Sequence, residues 1–252
     1  MSQIKLLIVE DDLYNQRAVE KTIENHFQEI EIVAKATSVK EGLEAIEQHH
    51  PDLLILDIHL TDGTSFDILR QSDYNSYKVV FMSAYHEYAL EALKFSSVDF
   101  VFKPFDINEL IIAIDKAIDE IMDESYDIKI KALFDNIDFQ NKNKKVVLQG
   151  KHNVKVCQVE EIVWAKAIVG GANFYFEDGS YFFTSKPLRR YESILSTHAF
   201  FRCHPHYLIN LLKVKEVKYD MKRIHMTNDD EVAFETRRYN QLINALHPNI
   251  HN

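Results

Sequence analysis

Acidic side chains follow two short apolar runs near the start of the chain. Asp57 ends the run LLILD, and Glu10, Asp11 and Asp12 follow the run KLLIV. A buried carboxylate is costly unless it is paired, hydrogen-bonded or bound to a metal, and neighbouring carboxylates repel one another. Hard divalent cations prefer such oxygen ligands, and Mg²⁺ in proteins binds a few carboxylates and retained waters. The pattern therefore predicts a magnesium site, and the alternative is an acidic surface rim that binds no ion.

Two further polar side chains would complete a site for phosphoryl chemistry. Ser83 follows the apolar run VVFM, and Lys103 follows DFVF. A carboxylate can attack a phosphoryl group and form an aspartyl phosphate, while a magnesium ion and an ammonium group stabilise the phosphoryl oxygens. A small hydroxyl group can donate a hydrogen bond to a remaining oxygen. Asp57 is thus predicted to be the nucleophile, with Ser83 and Lys103 as ligands of the phosphoryl group.

These residues need a fold that brings the ends of distant runs together. Apolar strand candidates alternate with helical patterns in the first half of the chain, at residues 5–10, 30–36, 52–57, 78–84 and 99–104. Strands that are apolar on both faces and separated by helices indicate a parallel sheet covered on both sides. We therefore predict a doubly wound α/β domain with a five-stranded parallel sheet. Ligands of such folds bind beyond the carboxyl ends of the strands, where all the polar residues above would meet.

Helix signals support this division of the first half. Ser38 with Glu41, and Asp106 with Glu109, have the spacing of a capping box at a helix start. Apolar residues at helical spacing within residues 90–95 predict a further helix before the last strand.

The charge is divided unevenly along the 252 residues. Residues 1–139 carry 12 lysines and arginines against 28 acidic residues, a formal charge of −16, whereas residues 140–252 carry 17 against 11, a charge of +6. This asymmetry indicates two domains with different partners, of which the basic one can approach a polyanion. No apolar run is long enough to span a membrane, and the two cysteines lie far apart in the sequence, so we expect a cytoplasmic protein without a membrane partner.

The periodicity changes after Lys145. Short β-branched and aromatic runs are separated by turn signals, and the pair Asp178-Gly179 between two aromatic runs predicts a hairpin. Only residues 186–195 and 238–246 have convincing helical patterns. We therefore predict an α/β domain at residues 1–122, a polar linker at residues 123–142 and a mostly-β domain at residues 143–252.

The first half resembles response-regulator receiver domains, which have a flavodoxin-like fold, through the motifs LLIVEDD, DLLILDIHLTDG, VVFMSA and DFVFKPF. The resemblance implies that Asp57 accepts a phosphoryl group from a sensor histidine kinase. It also implies a set of Mg²⁺ ligands: Asp11, Asp57 and the backbone carbonyl of His59, with Glu10 contributing through water.

The same resemblance assigns roles to residues at the other strand ends. Lys103 would pair with the phosphoryl group, and its peptide bond to Pro104 is expected to be cis. Ser83 and Phe100 resemble the switch pair of the family, whose hydroxyl group and ring reorient together on phosphorylation. Core packing is the alternative role of Phe100.

The second half resembles LytTR-type DNA-binding domains over residues 143–250, through the motifs EEIVWAKA, DGSYFFTSKPLRRYESIL, FFRCHPHYLIN and TRRYNQLI. The resemblance implies an elongated β-fold whose loops enter successive major grooves of repeated half-sites. It places base or phosphate contacts in the loop from Lys166 to Asn173, in the segment from His204 to His206, and at Arg237 and Arg238.

The chain departs from the LytTR pattern at two of these positions. Gly170-Gly171 stands where many members have larger polar residues, and Pro205 stands where a basic or polar side chain is frequent. Cys203 matches a common cysteine of the family, with burial as the favoured role and redox sensing as the other. A zinc site formed by Cys203 and the histidines next to it is disfavoured because the spacing is poor for a tetrahedral site.

Together the two halves predict a two-component transcriptional regulator that is not an enzyme. Phosphorylation of Asp57 would promote dimerisation and sequence-specific binding of the basic domain to repeated promoter sites on double-stranded DNA. The alternative is a phosphorylation-controlled module whose basic domain docks a protein partner. A small-molecule phosphatase is disfavoured because His59, rather than an acid–base aspartate, lies two residues after Asp57.

Overall fold

The computed structural model describes residues 3–74, 76–84, 93, 96, 98–121, 126–137 and 144–246. The chain divides into two compact units, Met1–Ile137 and Asp138–Asn252. No helix within the described ranges is long and apolar enough to cross a membrane.

A five-stranded parallel sheet forms the centre of the first unit. Its strands are β1 (Ile4–Val9), β2 (Ile30–Ala36), β3 (Leu53–Asp57), β6 (Lys78–Ser83) and β7 (Phe100–Phe102). A short hairpin of β4 (His59–Leu60) and β5 (Gly63–Thr64) follows β3. The spatial order of the sheet is β2-β1-β3-β6-β7, with all neighbours parallel. The predicted doubly wound, flavodoxin-like fold is confirmed.

Helices lie between and after these strands, and two of them start where the sequence has capping signals. They are α1 (Leu13–His26), α2 (Val39–His49), α3 (Ser65–Gln71), α4 (Ile107–Asp119) and α5 (Tyr126–Ile137). The Ser38 side chain accepts a hydrogen bond from the Glu41 N–H at the start of α2, and the Asp106 side chain accepts one from Asn108 at the start of α4. Leu93 and Ser96 are helical, while the rest of the helix predicted within residues 90–95 lies outside the described residues.

Two apolar clusters, one on each face, hold the sheet between its helices. Leu54 and Leu56 of β3 pack into the cluster that includes the buried residues of α2 and α3. Leu53 and Ile55 pack into the cluster that includes the buried residues of α1 and α4. Successive side chains of a strand point to opposite faces, so a central strand covered on both faces needs an uninterrupted apolar run. The run LLIL before Asp57 therefore makes β3 the centre of the unit.

Helix α5 lies within the stretch that the sequence predicts to be a polar linker, and the structure differs there. Tyr126, Ile130 and Leu133 are buried in the same cluster as Leu54 and Leu56. The Tyr126 hydroxyl accepts a hydrogen bond of 2.8 Å from the backbone N–H of Val79. Apolar residues at helical spacing form this contact, although many charged residues surround them in the sequence. The predicted domain boundaries stay a prediction, and parts of the predicted linker lie outside the described residues.

The second unit is mostly β, as predicted. Its strands are β8 (Lys145–Gln149), β9 (Val154–Gln158), β10 (Ile162–Ile168), β11 (Gly171–Phe176), β12 (Tyr181–Thr184), β13 (Phe200–His204), β14 (Tyr207–Asn210), β15 (Val214–Lys218), β16 (Arg223–Met226) and β17 (Glu231–Ala233). Its helices are α6 (Leu188–Leu195) and α7 (Tyr239–Leu246), with short 3₁₀ turns at Val159–Glu161, Leu211–Lys213 and Thr236–Arg238.

Antiparallel sheets position the loops of the second unit. The main sheet has the order β12-β11-β10-β14-β13, a second sheet has the order β15-β16-β17, and β8 pairs with β9. The Trp164 ring on β10 stacks on Tyr175 at a centroid distance of 3.9 Å, and its indole N–H donates to Asp230 at 2.7 Å. The predicted turn after Asp178 is present, with Gly179 at a φ of +78°. The ring stacking joins β10 to β11, and the hydrogen bond to Asp230 joins β10 to the turn before β17.

Candidate functional site

Three carboxylates meet at the carboxyl ends of β1 and β3. Glu10 and Asp11 follow β1 and Asp57 ends β3, and oxygen atoms of the three side chains lie within 4.8 Å of one another. The two strands are neighbours in the sheet, with Val9 opposite Leu56, so the sheet itself brings these residues together. Glu10 and Asp57 are buried, whereas Asp11 is exposed. The cluster is therefore rigidly held on the sheet side and open to solvent at Asp11.

Lys103 joins two of these carboxylates through its ammonium group. Its Nζ lies 2.6 Å from Oδ2 of Asp57 and 2.6 Å from Oε2 of Glu10. The lysine follows β7, and its backbone N–H donates to the Ser83 carbonyl at the end of β6 at 2.8 Å. The Lys103–Pro104 peptide bond is cis, as the family resemblance implies. Strand ends that are far apart in the sequence thus form one charged site.

Glu10 is the most deeply buried carboxylate of the cluster. Burial raises the pKa of its carboxyl group, the hydrogen bond from Lys103 lowers it, and the charge of Asp57 raises it further, with a net shift upwards. Its Oε2 is buried and lacks a well-directed hydrogen bond to any described residue, although the Lys103 ammonium is close. A buried carboxylate oxygen in this condition gains from an additional cation.

The donor set fits a hard divalent cation. Three carboxylates and one ammonium group leave two formal negative charges when all four are ionised. Oxygen ligands of this kind are preferred by Mg²⁺, which keeps several waters and so needs an opening to solvent. The exposed side of Asp11 supplies such an opening. His59 donates its backbone N–H to Asp57 Oδ1 at 3.4 Å, and the predicted role of its carbonyl as a ligand stays a prediction.

Ser83 and Phe100 lie on the neighbouring strands β6 and β7. Ser83 is buried at the end of β6, one residue beyond Met82, which is opposite Asp57. Phe100 starts β7, is partly buried and packs against the cluster beneath α2 and α3, with its ring edge-on to Phe102 at 5.3 Å. Core packing is therefore one role of Phe100, and its pairing with Ser83 as a switch stays a prediction.

Asp62 was not singled out by the sequence, yet it ties the loop after Asp57 to α2. Its carboxylate accepts hydrogen bonds from the backbone N–H groups of Val39 at 2.6 Å and Lys40 at 3.1 Å. The bond from Val39 is the largest cause of a lowered pKa of Asp62. Asp62 lies within the motif DLLILDIHLTDG, but only the tertiary structure shows its partners. The loop that follows the predicted nucleophile is thus held at the start of a helix.

The second unit brings four of the predicted contact residues together, three of them on strands of the main sheet and His206 in the turn between β13 and β14. Lys166 on β10 is opposite Asn173 on β11 and opposite Tyr207 on β14. His204 ends β13, with its ring 5.1 Å from Tyr207 and 5.4 Å from His206. His206 also donates its backbone N–H to Nδ1 of His204 at 3.1 Å. Lys166, Asn173, His204 and His206 therefore lie in one region of the main sheet.

The turn between β13 and β14 is braced by Arg202. Its guanidinium donates to the carbonyl of His204 at 3.0 Å and to the carbonyl of Pro205, and it lies 3.2 Å from the Glu192 carboxylate. Burial lowers the pKa of the His204 imidazole, so this ring is mainly neutral near pH 7 and can accept as well as donate a hydrogen bond. The proline is thus part of a rigid turn between two histidines.

Arg237 and Arg238 share a carboxylate that the sequence did not single out. Glu235 Oε2 lies 2.7 Å from Nε of Arg237 and 3.6 Å from Nε of Arg238. Arg238 also donates to the backbone carbonyl of Arg202 at 2.6 Å, which attaches it to β13. Arg237 remains 74% exposed. Of these two predicted contact residues, Arg238 is held by a hydrogen bond to β13, whereas Arg237 is the more accessible to solvent.

The two cysteines are free and buried. Cys203 Sγ lies within 3.7 Å of the carbonyl of Tyr207 and 3.6 Å of that of Ala233. Burial raises the pKa of the Cys203 thiol to about 12. A thiol in this environment is poorly reactive, which supports burial as the role of Cys203.

Both units match protein families. Residues 6–115 match the family model described as the response regulator receiver domain, and residues 152–247 match the model described as the LytTr DNA-binding domain. The two matched segments contain the carboxylate cluster with Lys103 and the region of Lys166 and His204, respectively.

Similar proteins share both segments. The Sensory transduction protein LytT of Bacillus anthracis is 25% identical over 217 residues, which cover 85% of this chain and 86% of that protein. A protein of the same name from Enterococcus faecalis is 28% identical over 220 residues, with 84% and 85% coverage. The Transcriptional regulatory protein BtsR of Escherichia coli is 26% identical over 219 residues, with 86% and 87% coverage. Similarity therefore extends across both units in one continuous order.

Proposed function

Because this chain belongs to the response regulators that join a receiver domain to a LytTR DNA-binding domain, we propose that phosphorylation of Asp57 controls its binding to promoter DNA. The phosphoryl donor would be a phosphohistidine of a sensor histidine kinase. The convergence of Glu10, Asp11, Asp57 and Lys103 at the strand ends carries this proposal.

Phosphoryl transfer follows from the chemistry of these groups. An oxygen of Asp57 attacks phosphorus, the P–O bond forms as the P–N bond to the imidazole breaks, and the electron pair returns to the ring nitrogen. Lys103 then holds a phosphoryl oxygen in place of the carboxylate oxygen that it contacts at 2.6 Å. The step forms an acyl phosphate on the chain itself, so no diffusible substrate is turned over.

Mg²⁺ is the proposed cofactor of this step. Glu10, Asp11 and Asp57 would hold it, with the predicted carbonyl of His59. When bound, the ion neutralises charge on the phosphoryl oxygens. Asp57 acts as the nucleophile through its carboxylate, and the Lys103 ammonium lies 2.6 Å from its Oδ2.

The signal would leave the site through Ser83 and Phe100. Ser83 would donate its hydroxyl hydrogen to a phosphoryl oxygen, and Phe100 would reorient on the adjoining strand. The receiver surface altered in this way is proposed to form a homodimer. A dimer places two DNA-binding domains on one duplex, which matches recognition of repeated promoter sites.

The second unit would contact DNA through the region of Lys166, Asn173, His204 and His206, together with Arg237 and Arg238. Lysine and arginine meet phosphates, arginine also reads guanine, and the histidine imidazoles can read base edges through hydrogen bonds. The two free cysteines suit the reducing cytoplasm, where we place this activity.

A DNA selection tests the proposed function. The full-length chain, given Mg²⁺ and a small phosphodonor, is incubated with a random duplex pool at near-physiological salt, and Asp57→Asn is treated identically. We expect the wild type alone to enrich a spaced repeat. Enrichment by both proteins would show that Asp57 does not control DNA binding. Enrichment by neither would favour the alternative, in which the basic domain docks a protein partner.

A further inference from the structure

The hairpin of β10 and β11 presents a fully exposed valine at its tip, next to Ile168, which is 37% exposed. Ile168 is opposite Gly171, which leaves Val169 and Gly170 as a two-residue loop. Val169 is 100% exposed, and Gly170 has no side chain. The φ of Gly170 is +82°, whereas Val169 is not among the residues of positive φ, so substitution of Val169 introduces no backbone strain. Any partner that meets this tip must contact the valine methyl groups.

The tip is fixed by strands on both sides. A Cβ atom at Gly171 would lie 1.9 Å from the carbonyl oxygen of Thr184 on β12, so this glycine allows a close approach of the two strands. On the other side, Ala167 donates its backbone N–H to the carbonyl of His206 at 2.8 Å. Val169 is therefore presented by a braced hairpin rather than by a loose loop.

Cationic side chains flank both faces of the hairpin. Successive residues of a strand face opposite sides, so Lys166 and Ala167 define the two faces. Lys166 lies over the Tyr207 ring with its Nζ 6.0 Å from the centroid. Ala167 lines a cavity of about 520 Å³ together with Arg189 and Arg202. Arg202 is engaged by Glu192, whereas the exposed Arg189 forms no ion pair with a residue in the described part of the chain.

We propose that Val169 enters the major groove and selects thymine by contact with its 5-methyl group. The major groove of B-DNA admits a two-stranded β-ribbon, and the thymine methyl is the one apolar group that base pairs display there. A valine without hydrogen-bonding atoms matches this group and no other base edge. The groove is bordered by two phosphate strands, which correspond to the cations on the two faces of the hairpin.

Arg189 is the phosphate contact on the cavity side in this arrangement. A guanidinium group that contacts a phosphate does not read the base, so Arg189 contributes equally to the affinity for all sequences. Val169 contributes only where a thymine methyl is present. This inference rests on the proposed DNA-binding function and adds the base that the hairpin tip reads.

Replacement of thymine by deoxyuridine isolates the methyl group. The duplex enriched by the phosphorylated wild type is synthesised with uracil at each thymine in turn, and the affinity of the full-length chain is measured. We expect one position of each half-site at which uracil lowers the affinity about fourfold, the factor for one buried methyl group. In Val169→Ser this difference disappears at that position and persists at others.

Two further variants serve as controls. Leu212→Ser changes another apolar residue of the second unit, 75% exposed, and should keep the thymine preference of the wild type. Arg189→Ala should lower the affinity for the thymine and uracil duplexes by the same factor. Circular dichroism verifies that all variants are folded.

Two outcomes would overturn the inference in different ways. If the wild type enriches a site but Val169→Ser keeps the same thymine-to-uracil ratio at every position, Val169 does not read thymine, while the proposed function stands. If the wild type enriches no site, DNA reading by this unit fails, and the thymine contact fails with it.

Discussion

At the scale of single residues, Lys103 balances a cluster whose members would otherwise repel one another. Its ammonium group contacts Glu10 and Asp57 at equal distances of 2.6 Å and is itself only 10% exposed. A charge in this position serves the resting protein by offsetting the carboxylates. Under the proposed function the same charge would bind a phosphoryl group on Asp57, so both stability and chemistry would depend on this side chain.

Lys103→Met should destabilise the receiver domain in the absence of divalent cations. Removal of one partner of a buried ion pair costs about 3 kcal/mol, because the remaining charges lose their compensation. Mg²⁺ should restore part of the loss and stabilise this variant more than the wild type. Urea denaturation followed by far-ultraviolet circular dichroism, with EDTA or with Mg²⁺, measures both effects.

Lys116→Met is the matched control for this substitution. Lys116 is 53% exposed and lies 3.8 Å from Asp99, and such surface pairs contribute about 0–1 kcal/mol. An equal response of both variants to Mg²⁺ would contradict the balancing role of Lys103.

The two thiols should react slowly in the folded protein. Burial raises the pKa of Cys157 and of Cys203 from 9.0 to about 12, so at pH 8 the thiolate fraction falls by about a thousandfold. Because the folded pKa lies above the unfolded one, the thiols stabilise the fold fully below pH 9, and this contribution is lost as the pH rises towards 12. Iodoacetamide labelling followed by mass spectrometry measures the reactivity of the two thiols. Rapid labelling of Cys203 in the folded protein would contradict this expectation and support redox sensing.

At the scale of elements, α5 extends the receiver domain beyond its five-stranded core. Lys129 on its first turns is buried and pairs with Glu120 at 2.6 Å, and Asn136 near its end donates to the Ser96 hydroxyl at 3.1 Å. Polar groups that are buried with partners fix one arrangement of a helix more strictly than apolar contacts alone. The segment between the domains is therefore anchored, at least over residues 126–137, to the receiver domain.

Leu133→Ala should destabilise the receiver domain. Leu133 lies on the inner side of α5 and is fully buried. Truncation of such a leucine costs about 2–5 kcal/mol, because apolar surface is no longer buried and a cavity is left behind. Lys131→Ala on the exposed side of the helix should change the stability by less than about 0.5 kcal/mol. Urea denaturation of the full-length chain distinguishes the two, and equal stabilities would mean that α5 is not docked in solution.

The two glycines of the β10–β11 hairpin should respond differently to alanine. Gly171→Ala places a Cβ atom against the Thr184 carbonyl and should cost about 1–3 kcal/mol as the strands separate. Gly170→Ala meets no atom within 4 Å and should cost about 1 kcal/mol through its positive φ alone. Trp164 on β10 is the one tryptophan of the chain, so its fluorescence during denaturation reports this unit. A larger cost at Gly170 would contradict the close packing of β11 on β12.

At the scale of the whole molecule, an acidic receiver domain is joined to a basic DNA-binding domain. The −16 and +6 charges of the two halves of the sequence give a net charge of −10, which by itself disfavours approach to DNA. A dimer brings two basic domains to one duplex. Binding of the first domain then raises the effective concentration of the second at its half-site. Dimerisation on phosphorylation would thus compensate for the overall charge.

Phosphorylation should therefore change the oligomeric state. Sedimentation velocity of the full-length chain with Mg²⁺ and a small phosphodonor should show a dimer, whereas Asp57→Asn under the same conditions should remain a monomer. By linkage, phosphorylation should strengthen binding to a repeated site by the same factor by which it strengthens dimerisation. Identical sedimentation of the wild type with and without the donor would show that phosphorylation does not drive dimerisation.

Much of the receiver domain and its site could be predicted from the sequence because the signals are local. An apolar run that ends in Asp57 indicates a buried strand with a carboxylate at its tip, and three other runs are followed by polar residues. In a parallel sheet these ends meet at one edge, so local patterns were sufficient to collect Glu10, Asp57 and Lys103 into one site. The mostly-β character of the second unit followed in the same way from short β-branched and aromatic runs.

The tertiary structure decided the features that depend on contacts between distant residues. The docking of α5 includes the hydrogen bond from Val79 to Tyr126, a partner that no pattern within residues 123–142 could indicate. The pairing of Glu235 with both arginines, the anchoring of Asp62 at α2 and the exposure of Val169 depend likewise on which side chains the fold brings together or leaves open. Strands and the residues at their ends are indicated by neighbouring residues in the sequence. Partners supplied by loops and helices, and the exposure of a hairpin tip, depend on how the whole chain packs, and for that reason only the tertiary structure decided them.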